Sequence, residues 1–281
     1  GETRENILNG AMNVNIQPRN ATAITALTGG MNLNGDLNVD NGTLILSGQP
    51  VAHAGGVVID DDWRTSLFSA RQINVGAGAF FQAGEYAGVK ANFVAAESAT
   101  LSFGYNDSLL TGEKSWRCYA PIYADETRCS QPVRSAETLS RLPASEVEGD
   151  VRLADHASLY LGKVDYQGAV TSSGSSQMTL ASDANWSMTS HSNVTSLRAQ
   201  RGASLSMVPA GSWRPKTLSV DTLDATGLKL LLGAKPSTSE NDRLMVKNAV
   251  SGGDNLLDVS LLLGNEGQAT LSQDLVMVDA P

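Results

Sequence analysis

Residues 151–162 read VRLADHASLYLG: an alternating run from Val151 to Leu153, a three-residue gap, a small residue at Ala157, and a second alternating run through Leu159 and Leu161. Asp155 beside His156 supplies the residue types of two members of a catalytic triad. Uniqueness separates chemistry from scaffold here, because a catalytic constellation occurs once whereas a scaffold unit recurs. The pattern recurs. Ile73, Val75, Ala79, Phe81 and Ala83 fit it, as do Phe93, Ala95, Ala99, Leu101 and Phe103; Met178, Leu180, Ala184, Trp186 and Met188; and Leu197, Ala199, Ala203, Leu205 and Met207. A further copy from Leu37, LNVDNGTLIL, fits after one deletion.

Copies starting at 73, 93, 151, 178 and 197 are separated by steps of 20, 58, 27 and 19, and three of these four steps approximate one coil of a β-solenoid. Within each copy apolar residues alternate with polar ones, the period-2 pattern of a strand with one buried and one wet face. The Gly, Asp and Asn of the gaps favour tight turns and tolerate positive φ. The expected fold is therefore all-β, a right-handed parallel β-helix whose coils bury their apolar faces only against one another. On this reading Val151, Met178 and Leu197 lie above one another. Asp155 and His156 are solvated corner residues, equivalent to Ala77-Gly78, Glu97-Ser98 and Arg201-Gly202.

The composition agrees: 41% of the 281 residues are hydrophobic, but only 5% are aromatic and 17% charged, so the core is aliphatic. A net charge of −9 argues against nucleic acid or an anionic membrane as partner. No apolar stretch is long enough for a membrane helix and no signal peptide is evident. A start at Gly1 without Met and an end at VMVDAP suggest a piece of a longer chain.

The long step from 93 to 151 exceeds one coil by roughly 38, an insertion expected at about 105–145. It contains Cys118 and Cys129, which lack a Cys/His set at zinc spacing and read better as a short disulfide than as a metal site. Closing that ring would contribute ~3 kcal/mol if unstrained. Trp116, Tyr119 and Tyr123 make the insertion either a contact surface or a flap covering the solenoid flank. Asp60, Asp61 and Asp62 in IDDDW lack calcium-loop spacing and read as a solvated turn, His53 and His191 are isolated from other metal ligands, and TSSGSSQ at 171–177 is a loop rather than a nucleophile elbow. No cofactor is implied.

From about residue 206 Leu becomes denser, in GLKLLLGA and NLLDVSLLLG. The expected organisation is a stem over 1–205 and a C-terminal β cap over 206–281, since an open solenoid end exposes unpaired backbone and needs covering. Trp186, Trp213, Leu218, Val220, Leu230, Leu244 and Val246 are the candidate folding-core residues of that end.

The run LTGGMNLNGDLNVDNGTLILSGQPVAHA, Leu27 to Ala54, resembles a coil of the serine protease autotransporters of Gram-negative bacteria, the IgA-protease-like and enterobacterial secreted proteases. EGDVRLADHASLYLG and the Cys pair are also similar, and the stretch from ANWSMTSHSNVTSL to NDRLMVKNAVSGGDNLLDVSLLLG resembles the family's autochaperone region. Ala52 stands where the family commonly has Pro. The resemblance implies a β-helical stem from the C-terminal part of a secreted passenger. Its partners would be its own upstream protease domain and outer-membrane barrel, and, in the adhesive alternative, itself or a host surface. The family's Gly-Asp-Ser-Gly nucleophile motif does not occur in this sequence, so the expectation for this segment is a non-catalytic one.

Overall fold

The computed structural model describes residues 8–10, 12–52, 58–104, 141–262, 268–272 and 278–280. Its strands form a three-faced parallel β-solenoid. Face one carries an inward ladder of Met31, Phe68, Val89, Val147, Tyr166, Trp186, Leu205, Leu230 and Leu257, each paired in parallel with the next. On face two the ladder is Val14, Leu37, Ile73, Phe93, Val151 and Val170. It resumes with Val194, Val220 and Val246. On face three it is Leu44, Phe81, Leu101, Leu159, Met178, Leu197 and Leu223.

The period-2 alternation dictates this arrangement: Val151 and Leu153 are buried and Arg152 between them is exposed, so each strand turns one row of side chains inward. Every apolar position of the five full sequence copies is buried. The larger side chains concentrate in the middle coils, where Phe93 meets Phe103 at 4.8 Å between ring centroids and Phe103 meets Tyr166 at 5.3 Å. The Trp186 indole, 1% exposed, donates to the carbonyl of Gly168 at 3.0 Å, so its one polar atom is satisfied inside the core.

Two corners of the coil use one turn. Between faces two and three Ala79 N donates to Gly76 O, Ala99 N to Ala96 O and Ala157 N to Ala154 O, with Gly78, Ser98 and His156 at positive φ. Between faces three and one Ala184 N donates to Ala181 O and Ala203 N to Gln200 O, with Asp183 and Gly202 at positive φ. A buried alanine closes each turn because a larger Cβ substituent would crowd the coil interior.

That shared turn corrects the expected register. Met178 pairs with Leu197, but Val151 pairs with Phe93 and Val170, and the partner of Met178 on its other side is Leu159. The copies beginning at 178 and 197 run from face three to face one, whereas those at 73, 93 and 151 run from face two to face three. One apolar-turn-apolar pattern describes both corners, and the odd step from 151 to 178 is one coil plus the move from one corner to the next.

Two excursions interrupt the coils. Phe93 and Val151 are direct neighbours although far apart in sequence, and after Thr100–Phe103 the described coils resume at Ser145–Glu148, on either side of the place where an insertion was expected. Cys118, Cys129, Trp116, Tyr119 and Tyr123 lie outside the described residues. The second excursion is an antiparallel hairpin of Gln49–Ala52 and Val58–Arg64. IDDDW is thus strand and not the solvated turn expected of it. Its Trp63 stacks on Tyr86 at 5.7 Å between centroids, and these rings cover Ile45, an outward-facing residue of face three that is fully buried. His53 lies outside the described residues.

Parallel pairing continues past residue 205. Thr217–Thr226 stacks on Ser192–Ala199, Arg243–Gly253 on Thr217–Thr226, and Leu256–Leu262 on Lys229–Lys235. The Leu-rich region is therefore built of further coils. It ends in an antiparallel partner, Gln268–Ser272, laid against Leu256–Leu262, which occupies that strand's outer backbone groups. Among the described residues no helix is long and apolar enough to cross a membrane.

Candidate functional site

Asp155 and His156, the pair with triad chemistry, sit at a corner with side chains 52% and 63% exposed and 3.4 Å apart. Their work is structural. His156 has φ of 61° and donates its backbone N–H to Ser175 O, while Asp155 Oδ1 accepts from Ser175 N at 2.7 Å, fastening this turn to that of the next coil. His191 is likewise tied into the fold, its Nδ1 accepting from Thr217 N at 3.0 Å.

The unusual chemistry lies in the last coils. Lys216 and Asp242 stand two residues before Leu218 and Leu244, which are paired, so opposite charges occupy equivalent positions of adjacent coils. Both are buried, Asp242 completely and Lys216 at 5% exposure. Asp242 Oδ1 accepts from Lys216 N at 2.9 Å and lies 3.6 Å from Lys216 Nζ. Its Oδ2 accepts from Trp213 Nε1 at 2.9 Å and from Gly233 N at 2.7 Å. Lys216 Nζ donates to Met207 O at 2.5 Å and stands 5.8 Å from the centre of the Trp213 ring. One carboxylate thereby joins the segment 207–216, the strand Lys229–Lys235 and the start of Arg243–Gly253.

Gly233 is required at this point: a Cβ there would come within 2.5 Å of Trp213 Nε1 and 3.1 Å of Asp242 Oδ2. Burial raises the Asp242 carboxyl above its ordinary range, opposed by its three hydrogen-bond donors and by the Lys216 ammonium. Burial lowers the Lys216 ammonium, opposed by Asp242. The arrangement holds chain segments together and contains no hydroxyl or thiol nucleophile. Buried charge is tolerated only where it is paired and hydrogen-bonded, so this clasp demands one register of the three segments.

The candidate folding-core residues surround the clasp. Leu218, Val220, Leu244 and Val246 are buried on face two, and Leu230 on face one is flanked by Leu205 and Leu257. Trp186 lies one coil before Leu205, and all six join a single hydrophobic cluster. Trp213 is only half-buried and serves as donor to Asp242. Lys216, Asp242 and Gly233 were not recognised in the sequence. The available signal was Lys216 and Asp242, of opposite charge, at one offset before two similar strands.

The sequence matches the family described as the PIC/HAP1/IgA0 second beta-solenoid repeat region over residues 10–180, more than half of the chain. The chain belongs to this family. It is 30% identical over 266 residues to an immunoglobulin A1 protease autotransporter of Haemophilus influenzae, an alignment covering 87% of this chain and 17% of that protein. It is 31% identical over 208 residues to the IgA-specific serine endopeptidase autotransporter of Neisseria gonorrhoeae, covering 67% and 13%. The adhesion and penetration protein autotransporter of Haemophilus influenzae is 24% identical over 168 residues, covering 54% and 12%. The crystal structure of the Haemophilus influenzae Hap adhesin aligns with a TM-score of 0.49 and 19% identity, covering 91% of this chain and 35% of that one. The chain thus spans less than a fifth of the length of these autotransporter relatives. It is a β-solenoid passenger region of an autotransporter, a class secreted to the bacterial surface.

Proposed function

We propose that this segment is a non-catalytic stem whose C-terminal coils nucleate folding during outer-membrane export, and that the rest of the stack propagates from them to support an upstream serine protease domain. The observation that carries the reading is the Trp213–Asp242–Lys216 clasp, which ties three segments of the last coils at a place dense in buried Leu. A one-dimensional stack can nucleate at one stable unit and propagate to its neighbours. The names of the relatives, immunoglobulin A1 protease and IgA-specific serine endopeptidase, supply the upstream activity by analogy only.

The test is export of the parent protein carrying Trp213→Glu or Leu230→Glu. Burying an unpaired charge at Leu230 costs several kcal/mol, on the order of the margin of a small folding unit. Both variants should reduce surface display and release, while Leu67→Ser, at a residue 70% exposed, should not. Normal secretion of both would overturn the reading. The isolated segment should hydrolyse no peptide.

A second reading, an adhesive or self-associating stem, draws on a polar ladder on the outside of face two. Asn74 Nδ2 donates to Asn38 Oδ1 and Asn38 Nδ2 to Asn15 Oδ1, each at 2.8 Å. The relative named as an adhesion and penetration protein fits it loosely. Concentration-dependent sedimentation of the segment would favour it, and a monomeric profile would remove it.

A further inference from the structure

Outside face two, around Arg152, the geometry points to a binding site for an acidic saccharide, with the guanidinium taking the sugar carboxylate. This goes beyond the stem reading and does not depend on it. Two depressions adjoin there. One, of about 250 Å³, is lined by Asn92, Val94, Asp150, Arg152, Thr171 and His191 among others. The other, of about 320 Å³, continues past Arg152 along Leu153, Thr171, Ser172 and Ser173. Val94, Arg152 and Thr171 belong to both, so the guanidinium stands where two pyranose rings would meet.

The polar groups suit that occupant. Arg152 projects outward between buried Val151 and Leu153 and makes no hydrogen bond or ion pair with any described residue. An unpaired guanidinium is a planar fork matched to a carboxylate. His191 accepts at Nδ1 from the Thr217 backbone, which leaves the proton of the neutral ring on Nε2 as a donor. Asn92 spends its Oδ1 on the Asp150 backbone N–H, so its Nδ2 remains available. Asp150 Oδ1 is held by the Ala169 N–H, which leaves Oδ2 to accept a sugar hydroxyl. Val94, partly exposed between buried Phe93 and Ala95, gives the floor an apolar contact for a ring face.

One cation beside one carboxylate does not suit a dense polyanion, and it does suit a ligand whose negative groups stand singly among hydroxyls, one per disaccharide. The coils set neighbouring side chains roughly 4.8 Å apart, so equivalent groups of successive coils form a row along the depressions.

The experiment titrates the ¹⁵N-labelled 281-residue chain with a hyaluronan tetrasaccharide, a neutral chitin tetrasaccharide and a heparin tetrasaccharide, and follows amide shifts. The hyaluronan fragment should shift residues 150–154, 169–173 and 190–191. Arg152→Ala should weaken it about tenfold, the loss of one charge-assisted contact, with an unchanged melting temperature. Thr171→Val, also exposed, should weaken it less. Equal binding of the neutral fragment, binding of the heparin fragment alone, shifts confined to other surfaces, or full affinity in Arg152→Ala would each overturn the assignment.

Discussion

Replacing Asp242 by Leu isolates the contribution of the clasp. The substitution removes a carboxylate that accepts three hydrogen bonds, from Trp213 Nε1, Gly233 N and Lys216 N, and strands a Lys216 ammonium that is 5% exposed with Met207 O and the Trp213 ring beside it and no counter-charge among the described residues. Breaking a buried ion pair from one side costs about 3–5 kcal/mol. At about 1.4 kcal/mol per tenfold, native-state exchange of the amides in 217–262 should accelerate by about two to almost four decades. Amides of 87–103, several coils away, should change little, because each coil touches only its neighbours. The readout is hydrogen exchange followed by mass spectrometry, with urea unfolding monitored by tryptophan fluorescence beside it. Adding Lys216→Met removes the stranded charge, and the double variant should lie between the wild type and Asp242→Leu, since the orphaned N–H groups remain. A loss below about 1 kcal/mol, a loss spread evenly along the chain, or a double variant less stable than the single would refute this reasoning.

Further expectations follow from single positions. Gly149 has φ of 141° and a Cβ there would sit 1.6 Å from Ala91 O, so Gly149→Ala should cost about 2–4 kcal/mol, read as a lowered melting temperature. His156→Gly should leave stability unchanged or raised by up to about 1 kcal/mol, because glycine accepts the left-handed turn without strain; a large loss would mean His156 does more than turn the chain. Trp186→Ala, in the fully buried face-one ladder, should cost about 3–5 kcal/mol by thermal unfolding. The pH dependence has a definite sign. A carboxyl raised by burial holds its proton more tightly when folded, so the Asp242 contribution is fully present below the ordinary carboxylate pKa and lost as pH rises through the raised native value. Urea midpoints of wild type should therefore gain on those of Asp242→Asn as pH falls from neutrality toward the carboxylate range, and the opposite trend would contradict the assignment.

Alternation and recurrence were enough to read the solenoid from the sequence, because a coil that buries one face must repeat apolar residues at every second position. The phase of two copies was not readable. Ala154–Ala157 and Ala181–Ala184 close the same turn at different corners, and a linear pattern carries no corner label. The hairpin at 49–64 escaped for a related reason: TLILS continues the strand pattern into QPVA, and the packing of Trp63 over Ile45 joins positions on either side of the hairpin's turn. Lys216 and Asp242 lie in WRPKT and ENDRL, stretches whose composition reads as solvated. Their burial becomes visible only once Leu218 and Leu244 are known to be neighbours, which aligns the two charges.

Coils seeded from the C-terminal end must gain backbone protection in that order. Pulse-labelled hydrogen exchange during refolding measures this directly. Protection should appear first in 217–262, next in Ser192–Ala199, and last in strands near 14–47; protection that starts at the N-terminal coils, or everywhere at once, would contradict it.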